Sequence, residues 1–256
     1  MNRITTLFNS GYKDILSVYF TAGYPALNDA FRTITELEKR GVDMVEIGIP
    51  FSDPIADGPV IQKSGSKALL NGMTLSLLFE QLREIREYAN VPLVLMGYIN
   101  PIIRMGVGTF LQKASAVGID GVIIPDLPPE EYNDKYIKLF EKAGIFNNFL
   151  ITPQTPDERL KQIDEWSKGF LYMVSSAATT GSRDSFDEKQ LAYFERVDNL
   201  KLKTPRLIGF GVSNRTTFEQ ACRFSNGAII GSAFIEAMSE NASLAQKILT
   251  FLETIR

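Results

Sequence analysis

Asp43-Met44-Val45-Glu46-Ile47-Gly48-Ile49 is a short and mostly apolar run, as is typical of a parallel strand that is buried on both faces. An amphipathic stretch precedes it, with apolar residues at helical spacing from Ala30 to Leu37. Gly41 lies between the two, where a glycine commonly ends a helix. This succession of helix and strand predicts one unit of an α/β fold.

The same alternation extends along the whole chain. Helical spacing recurs from Leu75 to Ile85 and from Leu191 to Val197. Pro128, Pro156 and Asp187 lie where helices are expected to start, and Gly118 and Gly144 lie where helices are expected to end. Strands are expected at residues 16–21, 43–49, 92–98, 121–124, 148–152, 170–174, 206–210 and 228–230.

About eight strand-then-helix units without a long linker predict a single (β/α)8 TIM barrel, formed by residues 1–256 as one domain. The chain length agrees with the roughly 250 residues typical of this fold. An open, doubly wound α/β sheet is the alternative. No GxGxxG turn follows the first strand, which weakens a dinucleotide-binding version of that alternative.

The composition limits the partners, metal sites and catalytic groups that the chain can have. Hydrophobic residues make up 45% of the chain, charged residues 22%, and the formal net charge is -3, so neither nucleic acid nor a membrane surface is indicated as a partner. Cys222 is the single cysteine, and histidine is absent. These counts exclude an intramolecular disulfide, a multi-cysteine metal cluster, a His-ligated zinc and a histidine base. Acid–base chemistry is therefore expected from carboxylates, Lys, Tyr or water held by the backbone.

The start of the chain gives an expectation about location. Met1-Asn2-Arg3-Ile4-Thr5-Thr6-Leu7-Phe8 lacks the long apolar region of a signal peptide. No apolar stretch approaches the roughly 18 residues that a membrane-spanning helix needs. The expected location is the cytoplasm.

Two carboxylates are candidates for catalysis. Because side chains alternate along a strand, Glu46 is expected to face the barrel interior if Val45 and Ile47 face the outer helices. An interior carboxylate is costly unless it is paired or neutralised, so Glu46 is either a functional residue or a structural one held by an ion pair or backbone donors. Asp57 follows in the next loop, where Asp57-Gly58-Pro59 is also ordinary turn sequence.

Two glycine-containing segments late in the chain indicate an anion site. Gly209-Phe210-Gly211-Val212-Ser213 follows the seventh predicted strand, and Gly231-Ser232-Ala233 follows the eighth and opens a helix. Barrels often bind phosphate at these two strand ends. Plain strand-to-helix turns are the alternative interpretation. The small, polar residues 175–186 after the sixth predicted strand are typical of a mobile lid, or equally of a surface loop.

One long motif resembles a known family. Glu46-Ile47-Gly48-Ile49-Pro50-Phe51-Ser52-Asp53-Pro54-Ile55-Ala56-Asp57-Gly58-Pro59-Val60-Ile61-Gln62 closely resembles the signature of tryptophan synthase alpha subunits. Matching segments extend over nearly the whole chain. They are Phe20-Thr21-Ala22-Gly23-Tyr24-Pro25, Met96-Gly97-Tyr98-Ile99-Asn100-Pro101, Pro125-Asp126-Leu127-Pro128 and the two late glycine segments.

The resemblance implies a lyase that splits indole-3-glycerol phosphate by retro-aldol cleavage into indole and glyceraldehyde 3-phosphate. Glu46 would be the principal acid and base, and Asp57 would bind and polarise the indole N–H. Thr180 would lie on the lid, close to Asp57 when the lid shuts. The indole pocket would be formed by Tyr19, Ile61, Tyr98, Leu127, Tyr172 and Phe210, and the phosphate would be held by Gly181, Gly211, Gly231 and Ser232.

The resemblance also implies a partner. Asp53, Asn100 and Pro101 would face a beta subunit that carries pyridoxal phosphate, in an alpha2-beta2 heterotetramer, and the chain itself would need no cofactor. One departure concerns the lid, where Ala178-Thr179-Thr180-Gly181 stands in place of the Gly-Val-Thr-Gly common in the family. The lost glycine should stiffen the backbone at that point.

Three other functions compete with that expectation. The chain could be a stand-alone lyase that releases free indole, or a catalytically weak barrel that binds and activates a beta partner. Intact Glu46 and Asp57 argue against the weak barrel. A phosphate-binding barrel isomerase is a more distant alternative.

Overall fold

The computed structural model describes residues 1–175 and 185–256 of the chain. Within these residues the centre of the fold is a sheet of parallel strands, almost all of whose residues are buried. Val, Ile, Leu and Phe are frequent in them, as expected for strands covered on both faces. The strands are β1 (Ile15–Thr21), β2 (Met44–Gly48), β3 (Leu93–Met96), β4 (Gly121–Ile123), β5 (Phe146–Asn147), β6 (Leu150–Ile151), β7 (Leu171–Val174), β8 (Arg206–Gly209) and β9 (Gly227–Ile230).

The sheet closes into a barrel between β5 and β6. These two strands lie at opposite ends of the strand order β5-β4-β3-β2-β1-β9-β8-β7-β6. Only Asn148 and Phe149 separate them in sequence, and both continue the pairing on either side. The Asn148 N–H donates to the Val122 carbonyl at 2.8 Å, and the Tyr172 N–H donates to the Phe149 carbonyl at 2.8 Å. Because β5 and β6 are halves of one strand, the fold is a (β/α)8 barrel, and the open-sheet alternative is wrong.

Helices surround the barrel and connect its strands. Their starts follow the local sequence: Asp187 caps a helix with a capping box that includes Gln190, and Pro128 and Pro156 directly precede others. The helices are α1 (Arg3–Asn9), α2 (Ala30–Lys39), α3 (Pro59–Leu70), α4 (Leu75–Gln81), α5 (Ile99–Met105), α6 (Val107–Ala116), α7 (Pro129–Glu131), α8 (Ile137–Ala143), α9 (Asp157–Trp166), α10 (Glu188–Asn199), α11 (Arg215–Cys222), α12 (Ser232–Ala237) and α13 (Leu244–Glu253), with a 3-10 turn at Ile85–Glu87 and a π-helical turn at Tyr132–Tyr136.

Two details of the predicted elements are corrected. The strand expected at residues 148–152 covers only Leu150–Ile151, and a second short strand, Phe146–Asn147, precedes it, because the Asn148 side chain accepts a hydrogen bond from the Phe170 N–H at 3.0 Å between the two. The helix expected from Leu75 to Ile85 ends at Gln81, and Ile85 begins a separate 3-10 turn. The predicted left-handed glycines after helices are confirmed, with φ values of 79° at Gly41, 80° at Gly118 and 70° at Gly144.

Helix α1 covers the end of the barrel at which the strands begin. Ile4 is fully buried there, and a Cβ atom on Gly121 of β4 would lie 2.8 Å from Ile4 Cδ1. The buried Asp120 carboxylate accepts hydrogen bonds from Arg3 Nη1 at 3.2 Å and Arg86 Nη2 at 2.7 Å. The opposite end, where the strands finish, therefore offers the entrance to the interior. Among the described residues, none of the helices combines the length and the apolar character needed to cross a membrane.

Candidate active site

Glu46 lies in the middle of β2, next to Tyr19 of β1 and Val94 of β3 in the register of the sheet. The residue is only 1% exposed. Neither of its carboxylate oxygens has a hydrogen-bond partner among the described residues. Burial, and then the nearby charge of Asp57, raise the pKa of Glu46 to about 8. The ion pair or backbone donors expected of a structural glutamate are absent from the described part of the chain, so Glu46 is a carboxyl group that can hold a proton at neutral pH.

Asp57 approaches Glu46 from the loop between β2 and α3. The Tyr98 hydroxyl donates a hydrogen bond to Asp57 Oδ2 at 3.0 Å, and the Gln62 side chain donates to the Asp57 carbonyl at 2.8 Å. Burial raises the pKa of Asp57, while the hydrogen bond from Tyr98 lowers it in part. The two carboxyls thus differ in environment: Glu46 has no described hydrogen-bond donor, and Asp57 has one that favours its ionised form.

Two tyrosine side chains of the barrel interior pack against glycines of neighbouring strands. A Cβ atom on Gly48 would lie 2.0 Å from the Tyr19 hydroxyl, and one on Gly209 would lie 2.2 Å from the Tyr172 hydroxyl. The rings therefore occupy space that any larger residue at either glycine would take. Burial raises the pKa of the Tyr172 hydroxyl well above its usual value, and the Glu46 charge adds to that effect. Both tyrosines stay neutral and line the space beside Glu46.

The other residues expected around an indole ring surround the same end of the barrel. Leu127 is buried in the segment after β4, and Ile61 is half-buried in the first turns of α3. Phe210 follows β8, and its ring meets the Tyr172 ring edge to face at a centroid distance of 6.0 Å. Tyr98 follows β3 and is 5% exposed. These side chains come from different strand ends, as the residues of a barrel active site do.

The two late glycine segments are neighbours, because β8 and β9 are paired in the sheet. Phe210 and Gly211 both adopt left-handed conformations, with φ values of 64° and 79°. The Ser175 hydroxyl donates to the Phe210 carbonyl, which holds this turn against the end of β7. Gly231 precedes α12, and Ser232 is the first residue of that helix and is exposed. Gly211 and Gly231 therefore place two residues without side chains of their own where two strand ends meet.

The remaining predicted positions divide into two groups. Thr180 and Gly181 lie outside the described residues, as does most of the predicted lid at residues 175–186. Asp53 and Asn100 are exposed, and Pro101 is partly exposed. Among residues 1–175 and 185–256, no cluster of three or more Cys, Asp or Glu side chains could hold a metal ion.

Sequence reasoning missed the space-making role of Gly48 and Gly209. The sequence contains an indication of this role at Gly48, because Gly48 follows Glu46 by two residues and therefore lies on the same face of the strand. It also missed the contact between Tyr98 and Asp57, which are 41 residues apart.

Comparisons of the sequence and of the structure with known proteins all point to one family. The family model of the tryptophan synthase alpha chain matches residues 8–255. A tryptophan synthase alpha chain of Flavobacterium johnsoniae is 56% identical over 256 residues, which is 100% of both chains. The crystal structure of an alpha chain from Legionella pneumophila subsp. pneumophila superposes with a TM-score of 0.87 at 33% identity, over 100% of this chain and 96% of that one. A chain of the tryptophan synthase complex from Pyrococcus furiosus gives a TM-score of 0.84 at 34% identity, over 95% and 98%.

Proposed function

The chain belongs to the tryptophan synthase alpha chain family, and we propose that Glu46 and Asp57 carry out its lyase reaction at the open end of the barrel. The reaction is the cleavage of indole-3-glycerol phosphate to indole and glyceraldehyde 3-phosphate, a step of L-tryptophan biosynthesis. One observation carries the assignment of Glu46: a fully buried carboxyl group with neither oxygen bonded among the described residues. A group that only stabilised the fold would be expected to have partners.

The proposed reaction starts with Glu46 protonated, in line with its raised pKa. Glu46 delivers its proton to the indole ring carbon that carries the side chain, and the ring becomes a cation. Asp57 accepts a hydrogen bond from the indole N–H and balances that charge. Glu46, now a carboxylate, takes the proton of the adjacent side-chain hydroxyl. The oxygen forms the aldehyde carbonyl, the carbon–carbon bond breaks, and its electron pair restores the neutral ring.

The separation of roles follows from the environments of the two carboxyls. A group that both gives and takes a proton works best with a pKa near the operating pH, which favours Glu46. A group that stabilises positive charge must stay ionised, and the hydrogen bond from Tyr98 supports this at Asp57. Carboxyl pairs held in different environments are a general solution to such chemistry. Neither step requires a metal or a histidine.

Substrate binding is proposed for the side chains and glycines around this pair. Apolar and aromatic surface fits the flat indole ring, and exposed backbone N–H groups beside glycines fit the phosphate. We assign the ring to Tyr19, Ile61, Tyr98, Leu127, Tyr172 and Phe210. We assign the phosphate to Gly211, Gly231 and Ser232, with Gly181 and Thr180 as the expected contributions of residues 175–186.

We propose that the chain needs no cofactor and works with a beta subunit in an alpha2-beta2 heterotetramer in the cytoplasm. The Pyrococcus furiosus relative was crystallised in a tryptophan synthase complex, which supports the partner. Asp53, Asn100 and Pro101 are assigned to the partner surface because of the family likeness, and the exposure of Asp53 and Asn100 is compatible with that assignment. Pyridoxal phosphate is assigned to the beta subunit, and residues 1–256 to a single domain.

Indole release by the purified chain, measured with and without a beta subunit, tests this function. We expect slow cleavage by the chain alone and faster cleavage with saturating beta subunit, because a partner that binds the active conformation more tightly shifts the chain towards it. An unchanged rate would indicate a stand-alone lyase. Absence of indole formation in both assays, with stimulation of the beta subunit's own reaction, would instead indicate a binding and activating subunit.

A further inference from the structure

We propose that Tyr98 is a positioning residue for the reaction, whose hydroxyl group fixes the Asp57 carboxylate in the orientation that accepts the indole N–H. This inference rests on the proposed function and goes beyond a place for Tyr98 in the wall of the indole pocket. It starts from the two hydrogen bonds of one hydroxyl. The Ala56 N–H donates to the Tyr98 oxygen at 2.9 Å, and the Tyr98 hydroxyl donates to Asp57 Oδ2 at 3.0 Å.

The pattern of donors and acceptors sets the direction of the second bond. A tyrosine hydroxyl has one proton to donate, and its oxygen can accept at the same time. Because the Ala56 N–H occupies the acceptor side, the proton of Tyr98 is directed to Asp57. The two bonds hold consecutive residues of the loop, so one hydroxyl fixes both the backbone at Ala56 and the carboxylate at Asp57.

Tyr98 itself is held firmly. Its ring stacks on Phe51 at a centroid distance of 5.2 Å and an interplanar angle of 30°. Its backbone lies at the junction of β3 and α5: the Gly97 N–H donates to the Ile123 carbonyl at 3.1 Å, and the Ile99 N–H donates to Asp126 Oδ1 at 2.9 Å. A donor on a rigid junction can position a carboxylate that lies in a loop.

The charged and titratable groups around Asp57 define what the hydroxyl contributes. Three groups interact electrostatically with Asp57: the carboxyl of Glu46 on β2, the hydroxyl of Tyr19 on β1 and the hydroxyl of Tyr172 on β7. Asp126 lies near Tyr98 from the segment after β4. None of these described groups is a cation, and the hydrogen bond from Tyr98 lowers the pKa of Asp57 against its burial. Loss of the hydroxyl should therefore both loosen the carboxylate and raise its pKa.

Tyr98→Phe is the decisive variant, because it removes the hydroxyl and keeps the ring that stacks on Phe51. We expect kcat for indole formation by the purified chain to fall about 10- to 100-fold, as for loss of a hydrogen bond to a charged group, with a smaller change in KM. The acid limb of the pH–rate profile should move to higher pH, because Asp57 then ionises later. Tyr193→Phe is the matched control: Tyr193 is a buried tyrosine of α10 whose hydroxyl has no hydrogen-bond partner among the described residues. The Tyr193→Phe substitution should leave kcat and the pH–rate profile unchanged.

A second measurement does not depend on activity. Carbon NMR titration of selectively labelled aspartate, with the Asp57 signal assigned from an Asp57→Asn sample, reports the pKa of Asp57 in wild type and Tyr98→Phe. An increase in the variant supports the proposal even if the wild-type chain forms no indole, an outcome that would overturn the proposed function alone. An unchanged Asp57 pKa, or a loss of kcat that is equal at every pH, would overturn the positioning role.

Discussion

Glu46→Gln should lower the rate of indole formation by about 10²–10⁴-fold, the usual contribution of a general acid–base group, and by more if both proton steps depend on it. Glutamine keeps the shape of the side chain but cannot transfer a proton. Histidine is absent from the chain, and no described group next to Glu46 other than Asp57 and neutral tyrosines could replace it. Single-turnover kinetics at saturating substrate measures this loss at the chemical step.

The stability of the same variant separates catalysis from a structural role. The folded pKa of Glu46 is about 8 and its ordinary value is 4.5, so the folded state holds the proton more tightly than the unfolded chain does. Wild-type stability therefore carries a penalty that is small below pH 4.5 and grows as the pH rises towards about 8. Glutamine does not ionise, and the variant should gain stability relative to wild type over that range. A lower melting temperature at pH 8, with activity lost only in proportion to the unfolded fraction, would point to a structural glutamate.

Asp57→Asn should lower the single-turnover rate by about 10²–10³-fold, by analogy with loss of one preorganised electrostatic group in an active site. Asparagine can still accept the hydrogen bond from Tyr98, so the loop should keep its conformation. The amide carries no charge to balance the cationic ring. Substrate affinity should change much less than the rate, because the positive charge develops only during the reaction.

The Asp57→Asn variant also has a thermodynamic readout. The charge of Asp57 is the second cause, after burial, of the raised pKa of Glu46. Removing it should lower the pKa of Glu46, which NMR titration of labelled glutamate would detect. Asp134→Asn, at an exposed position of the Tyr132–Tyr136 turn, is the control for a neutralised aspartate. It should change neither the single-turnover rate nor the pKa of Glu46. An Asp57→Asn variant with a near-normal rate would remove Asp57 from the mechanism.

Much of the fold could be predicted because its main determinants are local. Apolar strand runs, helical spacing, capping residues and left-handed glycines are each visible within about ten residues of sequence. The division of the strand at Asn148 could not be predicted in this way. It depends on a contact from the Asn148 side chain to the Phe170 backbone, across 22 residues.

The candidate site was predictable to a similar degree. Alternation along β2 puts Glu46 on the face opposite Val45 and Ile47, and hence inside the barrel once those two face the helices, and the family resemblance supplies the role of Asp57. The bond from Tyr98 to Asp57 depends on the path of a loop, which a local pattern does not specify. The fit of the Tyr19 hydroxyl over Gly48 likewise depends on how two strands lie beside each other.

The central claim is that one buried carboxyl starts the reaction in its protonated form while a second stays ionised. The pH dependence of the single-turnover rate of indole formation by the wild-type chain tests it most directly. We predict a bell-shaped profile, with an acid limb as Asp57 becomes protonated and a decline above about pH 8 as Glu46 loses its proton. A rate that continues to rise from pH 8 to about pH 10 would contradict the account, because Glu46 would then have to act first as a carboxylate.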